Sequence, residues 1–286
     1  MSNTYVFEIG CEELPSSSLE QLRDALVTGF QNALNAEEIH FTGILPIAAP
    51  RRLGVIAEGL SDSSAPKHIS RRGPAVTQAY KDGAPTGALL GFCKGLGINA
   101  DQVTTEETEK GAWVSYSYTQ PGQPIQDRLG DLTTQVVSQL PLSKPMRWGS
   151  GRAVFPRPVH WVVALLNEGV VPFELFGLQT SGTSFGHRVH HPEAIAIRHA
   201  KNYREQLTAG YVVADFDTRR ELTWKKIQDI AAQHHVIVTA DDALLSEITC
   251  LVEWPVPLIG QFESDFLKVP DIALVAAMRG HQKYFH

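Results

Sequence analysis

Cysteine is scarce. The chain has three, Cys11, Cys93 and Cys250, far apart and with no CxxC pair. A disulfide framework or a thiolate zinc site is therefore not expected, and the three read as buried or incidental thiols. No apolar run approaches the roughly 20 residues that a membrane span needs. The opening MSNTYVFEIG lacks the basic and apolar regions of a signal peptide, so the expected location is cytoplasmic, with no membrane partner. Net positive charge is also missing: the formal charge is −6, which counts against a general binder of polyanions. Familiar catalytic signatures are absent too. LLGFCKGLGI is glycine-rich but lacks GxGxxG spacing, a preceding strand and a GK[ST] ending. No serine sits in GxSxG, and no cysteine has a triad setting. No catalytic set is expected, and no metal site.

What is present is local. Residues 144–166, KPMRWGSGRAVFPRPVHWVVALL, divide into two halves. Lys144 to Pro158 carries four cations, no acid, two glycines and three prolines. Proline fixes φ and glycine frees it, so this half reads as an ordered loop that holds arginines in place. Val159 to Leu166 is almost continuously apolar and reads as a buried central strand. From Lys144 to Arg204, eight Lys or Arg stand against three acids, Glu168, Glu174 and Glu193. Such segregation points to an anionic partner for one face.

Periodicity predicts a strand at 4–9 and a helix from the Ser16–Ser18 caps to about Ala36. A hairpin of 39–47 with 52–58 follows, then a loop over 61–74 and a broken helical region over 75–95. A second hairpin closes at 113–119, and a helix covers 125–140. Beyond the central strand, further strands are expected at 170–178, 194–197, 211–214, 236–238, 250–259 and 281–285. Helices are expected at 203–207, from the Asp215 or Asp217 cap to His234, from Ala240 or Asp241 to Thr249, and from Asp271 to Met278, ended by Gly280. Without strict βαβ alternation this is an α+β fold of mixed, largely antiparallel sheets with flanking helices, in two subdomains, 1–143 and 144–286. The apparent strand at 281–285 has no partner after it, so the chain is expected to be an N-terminal portion of a longer protein.

Three residue groups compete for function. His187, His190 and His191, with His199 and His160 in reach, have the spacing of metal ligands but no carboxylate companion; surface or packing histidines are the favoured reading. Glu12 and Glu13 are adjacent, which suits caps or ion pairs better than joint acid–base work. The arginines Arg51, Arg52, Arg71, Arg72, Arg147, Arg152, Arg157 and Arg188 mostly stand in loops beside Gly or Pro. Held on a rigid scaffold, loop arginines suit phosphate contacts, and aromatics near some of them suit stacked bases. RNA or partner contact is favoured over intramolecular or interface ion pairing.

Eight blocks run in order through the chain: EIGCEELP (8–15), APRRL (49–53), RRGPA (71–75), MRWG (146–149), RPVHWVVALL (157–166), GHR (186–188), LVEWPVPL (251–258) and MRGHQKYF (278–285). Together they resemble the beta subunit of bacterial heterotetrameric glycyl-tRNA synthetase. The resemblance implies a cytoplasmic ligase of two alpha and two beta subunits. In that family the alpha subunit holds the class II site for glycine and ATP with Mg, and the beta subunit binds glycine tRNA and is needed for charging. The family's HD-type and anticodon-binding domains would lie beyond residue 286. No cofactor is then expected in this portion, and its partners would be the alpha subunit, a second beta subunit and tRNA. Two other readings stay open: a metal-dependent hydrolase built on the 187–191 histidines, and a pure protein-interaction module.

Overall fold

The computed structural model describes residues 2–109 and 111–286. Along the chain, β1 (Asn3–Cys11) leads into α1 (Ser16–Ala36) and the hairpin of β2 (Gly43–Ala49) and β3 (Arg52–Leu60). Next come β4 (Lys67–Ala75), α2 (Val76–Ala79), the two-residue strands β5 (Tyr80–Lys81) and β6 (Ala84–Pro85), α3 (Gly87–Leu96), β7 (Thr104–Thr108) and β8 (Gly111–Gln120). The chain continues with α4 (Ile125–Ser138), β9 (Val159–Leu166), β10 (Gly169–Val170), β11 (Glu174–Leu175), β12 (Leu178–Gln179), β13 (Thr183–Phe185) and β14 (Ala194–Ala196). It closes with α5 (Tyr203–Ala209), α6 (Phe216–Gln233), α7 (Asp242–Thr249) and α8 (Asp271–Ala277). The fold is α+β with antiparallel sheets, as the periodicity predicted.

Two compact units form: residues to Asp62 together with Pro124–His286, and Ser63–Gln123. The boundary expected at 143/144 falls inside the larger unit, because β9 pairs with β1 from Leu166–Tyr5 to Val159–Cys11. The larger unit is built on a five-stranded antiparallel sheet ordered β10-β9-β1-β3-β2. β1 lies at its centre because both of its faces are apolar. Tyr5, Phe7 and Ile9 turn toward α1 and α4, where Leu19, Leu22, Leu26, Phe30, Leu129, Leu132 and Val136 bury. Each such side chain contributes about 1.5–3 kcal/mol on burial. The Tyr5 hydroxyl bonds Thr133 at 2.9 Å and ties the strand to α4. The opposite face, Val6 with Ile56, Trp161, Val163 and Leu165, is covered by Ile197, Tyr203, Leu207, Val212 and Ala214.

Several local expectations need correcting. α1 starts after Pro15 with no side-chain cap, so Ser16–Ser18 do not serve as caps. Asp215 and Asp241 do cap their helices, accepting from Thr218 N at 2.7 Å and Leu244 N at 3.0 Å. The 170–178 strand is split into β10, β11 and β12, with Phe176 and Gly177 at positive φ. In the expected strand 211–214, Tyr211 is exposed and Val212 to Ala214 are buried, but they carry single hydrogen bonds, Ala48 N to Ala214 O and Val213 N to Glu253 O, rather than a ladder. Residues 236–238 and 250–259 are irregular as well; in the latter, Pro255 and Pro257 remove ladder donors. The 281–285 segment is not a strand: the last helix passes Gly280 in a wider turn to Gln282, and Lys283 is left-handed.

The smaller unit pairs β4-β8-β7 and packs Val114 against Ala79, Leu89 and Cys93 of its helices. β4 was expected as loop. Its polar string, KHISRRGPA, hides a strand whose support comes from β8, from Lys67–Gln120 to Ala75–Trp113. The two ends of the unit meet, with Ser64 N bonded to Gln123 O at 3.0 Å and Gln123 N to Ser64 Oγ at 3.1 Å. Just outside them, Ile125 N bonds Asp62 O at 3.0 Å. The smaller unit is thus an insertion with adjacent ends, a position where excision is tolerated. Replacing Ser63–Gln123 by a short Gly-Ser linker should leave the larger unit folding cooperatively. A chain that loses its cooperative denaturation transition on this excision would refute the reading.

Candidate functional site

The antiparallel order brings distant segments to one end of the larger sheet. β1 ends at Cys11 where β3 begins at Arg52 and β9 begins at Val159. Glu12 and Glu13, Arg51, and Arg157 and His160 therefore share that end. The covering layer adds Ser184 and Phe185 of β13, His187 and Arg188 after it, Tyr203 at the start of α5, and Glu253.

At the centre stands Glu8, fully buried on the middle strand. A carboxylate there must be paired. Its Oε1 accepts from the Trp161 indole and from Ser184 Oγ at 2.8 Å, and its Oε2 accepts from the Tyr203 hydroxyl. Arg52, also fully buried, lies 3.6 Å from Glu8 and donates to Glu253 Oε1 at 3.1 Å, Ser184 Oγ at 3.3 Å and Phe185 O at 3.0 Å. Burial alone would weaken its guanidinium as a base, but the charges of Glu253 and Glu8 outweigh this and hold Arg52 above its ordinary value. Burial, and then the charge of Glu8, pushes the Tyr203 phenol well up, so it stays a donor. Cys11, at the strand end, is pushed up to about 12 by burial and is no nucleophile. A second buried cation, Arg219, has no ion pair with a carboxylate among the described residues. It donates to the carbonyls of Val213 (2.6 Å), Ala48 (2.7 Å) and Thr249 (3.1 Å), and burial lowers it to about 10.

Above the buried group lies an exposed one. Glu12 binds His160 Nε2 at 3.0 Å and accepts from Arg188, which also lies 3.7 Å from Glu13. Arg157 donates to Glu13 O at 3.0 Å. The hydrogen bond from Arg188 holds the Glu12 carboxyl below its ordinary range. A depressed folded-state value stabilises the fold above the unfolded Glu value of about 4.3, and this is lost as pH falls below it. Exposure limits the gain to under about 1 kcal/mol. The stability difference between the native chain and Glu12→Gln should therefore shrink as acid is added; a gap that widens in acid would contradict the assignment.

The histidines do not converge as ligands. His187 Nδ1 accepts from the backbone N–H groups of Val189 and His190, both at 3.2 Å, and the rings of His187 and His190 stack at 4.5 Å. Burial pushes the His187 imidazole down, toward the neutral form. Among the described residues, no group of three or more His, Cys, Asp or Glu is arranged to hold a metal ion.

The glycyl-tRNA synthetase beta subunit profile matches residues 5–286. The chain belongs to that family. It is 41% identical to the glycine–tRNA ligase beta subunit of Chromohalobacter salexigens, over all of this chain and 41% of the relative. It is 40% identical to that of Hahella chejuensis (99% of this chain, 41% of the relative). It is 39% identical to that of Coxiella burnetii (98% of this chain, 41% of the relative). The chain thus spans about two-fifths of the length of the curated relatives it matches. Among the described residues, no helix is long and apolar enough to cross a membrane.

In this member of the glycyl-tRNA synthetase beta subunit family, five of the eight blocks meet at the sheet end just described: Glu8 and Glu12, Arg51 and Arg52, Arg157 to Trp161, His187 and Arg188, and Glu253. The arginines expected to face RNA divide. Arg52 is fully buried between Glu8 and Glu253 and has no outward face, which corrects its assignment. Arg51 is half-buried over the Trp161 ring at 5.6 Å, with its Nε unpartnered among the described residues. Arg157 and Arg188 are exposed but engaged with Glu13 and Glu12. Arg72 pairs with Glu106 at 3.0 Å and lies over Trp113 in the smaller unit. Arg71, Arg147 and Arg152 are exposed, and among the described residues their side chains have no ion pair or hydrogen bond. The loop holding Arg147 and Arg152 is closed by Met146 and Phe155, bonded backbone to backbone at 3.0 and 3.2 Å, and by Trp148 and Phe155 on Phe176.

Proposed function

We propose that the chain works as part of a cytoplasmic glycine–tRNA ligase, an ATP-dependent aminoacyl-tRNA synthetase, and contributes tRNA contact and assembly with the catalytic alpha subunit. The enzyme would be a heterotetramer of two alpha and two beta subunits. ATP, Mg and glycine would be handled by alpha, so no cofactor role is given to this chain. The observation that carries the reading is the family match across residues 5–286, shared with relatives named glycine–tRNA ligase beta subunit. The buried charges are consumed in holding the sheet end together, which suits a binding and assembly role. Nothing in the fold or the relatives favours the metal-dependent hydrolase.

Arg147 and Arg152 are the first tRNA contacts to test, since a loop closed by the Met146–Phe155 backbone bonds presents both with no ion pair or hydrogen bond among the described residues. Affinity for glycine tRNA should fall steeply with salt, and each Arg→Ala change should reduce the slope of log K against log salt by about one. Absence of binding at low salt would overturn RNA contact. Charge reversal at both positions that weakens assembly with alpha while sparing tRNA binding would instead make the loop a protein interface.

A further inference from the structure

The smaller unit has two sheet faces of opposite character. On one, polar groups satisfy each other: Ser70 with Ser117 at 3.2 Å, His68 with Thr119 at 2.9 Å, Thr104 with Ser115 at 3.1 Å, and Arg72 with Glu106 at 3.0 Å. The other face is covered at the Val114 end by α2 and α3. Beyond that cover, the alternation of β4 and β8 sets Lys67, Ile69 and Arg71 opposite Gln120, Tyr118 and Tyr116. Tyr116 and Tyr118, two residues apart on β8, stack with centroids 5.8 Å apart and planes 22° apart. Both rings are half-exposed, and Lys67 and Arg71 are exposed. Among the described residues, neither cation has an ion pair and neither phenol has a hydrogen bond, in contrast to the opposite face.

We infer that this face of the smaller unit is a stacking platform for unpaired bases of RNA. The inference rests on the reading that the chain binds tRNA, and gives that binding a second, separate place. Two near-parallel rings on one strand offer a flat surface that a base continues by stacking, and this contact tolerates any base. Two flanking cations without a partner acid, on strand β4, suit the phosphates that join such bases. Unpaired segments are the part of a folded RNA whose bases are free to stack on protein. A helical RNA keeps its bases inside and would meet the tyrosines only edge-on. The platform therefore selects loops or ends.

The test uses the 286-residue chain with two probes: glycine tRNA, and an unstructured RNA of about ten nucleotides carrying 2-aminopurine, a length within one small domain's reach. The native chain should bind the short RNA and quench the 2-aminopurine. Changing Tyr116→Ser and Tyr118→Ser together should weaken that binding at least about tenfold and abolish the quench. Changing Tyr116→Phe and Tyr118→Phe keeps the rings, so binding and quench should stay within about twofold of native, and Arg71→Ala should lower the salt slope by about one. Full-strength binding by the Ser variant, or loss of binding in the Phe variant, overturns the platform. Native binding of tRNA without the short RNA overturns the platform but leaves the proposed function standing. Binding of the short RNA without tRNA does the reverse, and binding of neither removes both.

Discussion

Arg52→Met should destabilise the larger unit by about 3–5 kcal/mol, measured by denaturant unfolding at neutral pH. The expected size comes from what is left behind. Glu8 and Glu253 are both buried, and Arg52 is the shared cation between them. Glu8 keeps its bonds from Trp161, Ser184 and Tyr203. The Glu253 carboxylate has only Arg52 among the described residues. Removing the guanidinium therefore leaves one carboxylate poorly paired and another unpaired, each in a medium that disfavours charge. Adding Glu253→Gln to the variant should recover part of the loss. A cost below about 1 kcal/mol at neutral pH, or no recovery with Glu253→Gln, would show that the network does not hold the sheet end.

This network also marks where the sequence stops being readable. Local periodicity was enough for α1, α4, α6, β1 and β9, because each repeats apolar residues at its own spacing. Arg52 opens the expected strand 52–58 beside the hairpin connection, and on that ground it is grouped with the arginines expected to face RNA. Its fate is decided by Glu8, on a neighbouring strand, and by Glu253, 201 residues later. Two signals were available: a lone acid inside the apolar runs VFEIG and LVEWPV requires a buried partner. Tyr203 and Ser184 carried no such mark, and Arg219 reads as one more charge on an amphipathic helix. The inserted unit was missed for a related reason. Its boundaries at Ser63 and Gln123 are adjacent only in space, and β4 is too polar to announce itself as a strand. Arg147 and Arg152 of the 144–158 loop were visible, since proline, glycine and the lack of acids act locally.

Gly10→Ala should cost about 3 kcal/mol, most of it through a single contact. Gly10 pairs with Trp161 across β1 and β9. A Cβ at Gly10 would stand 1.7 Å from the Trp161 ring. The indole cannot slide away freely, for it packs on Phe185 with centroids 4.9 Å apart and has Arg51 and Arg52 beside it. It also crosses the bare backbone at Gly10 to donate to Glu8. Displacing it would crowd the core and remove a donor from a buried carboxylate, two costs with one cause. The cause is separable by a double-mutant cycle. Trp161→Ala alone should cost about 3–5 kcal/mol through the cavity it opens. In that background Gly10→Ala should cost under about 1 kcal/mol, a coupling of roughly 2 kcal/mol between the sites. Equal costs of Gly10→Ala in both backgrounds would mean that the glycine serves the backbone of β1 rather than the indole. If the coupling is found, a residue without a side chain decides whether Glu8 keeps its charge paired, and through Glu8 and Arg52 whether five distant blocks of the sequence share one end of the sheet.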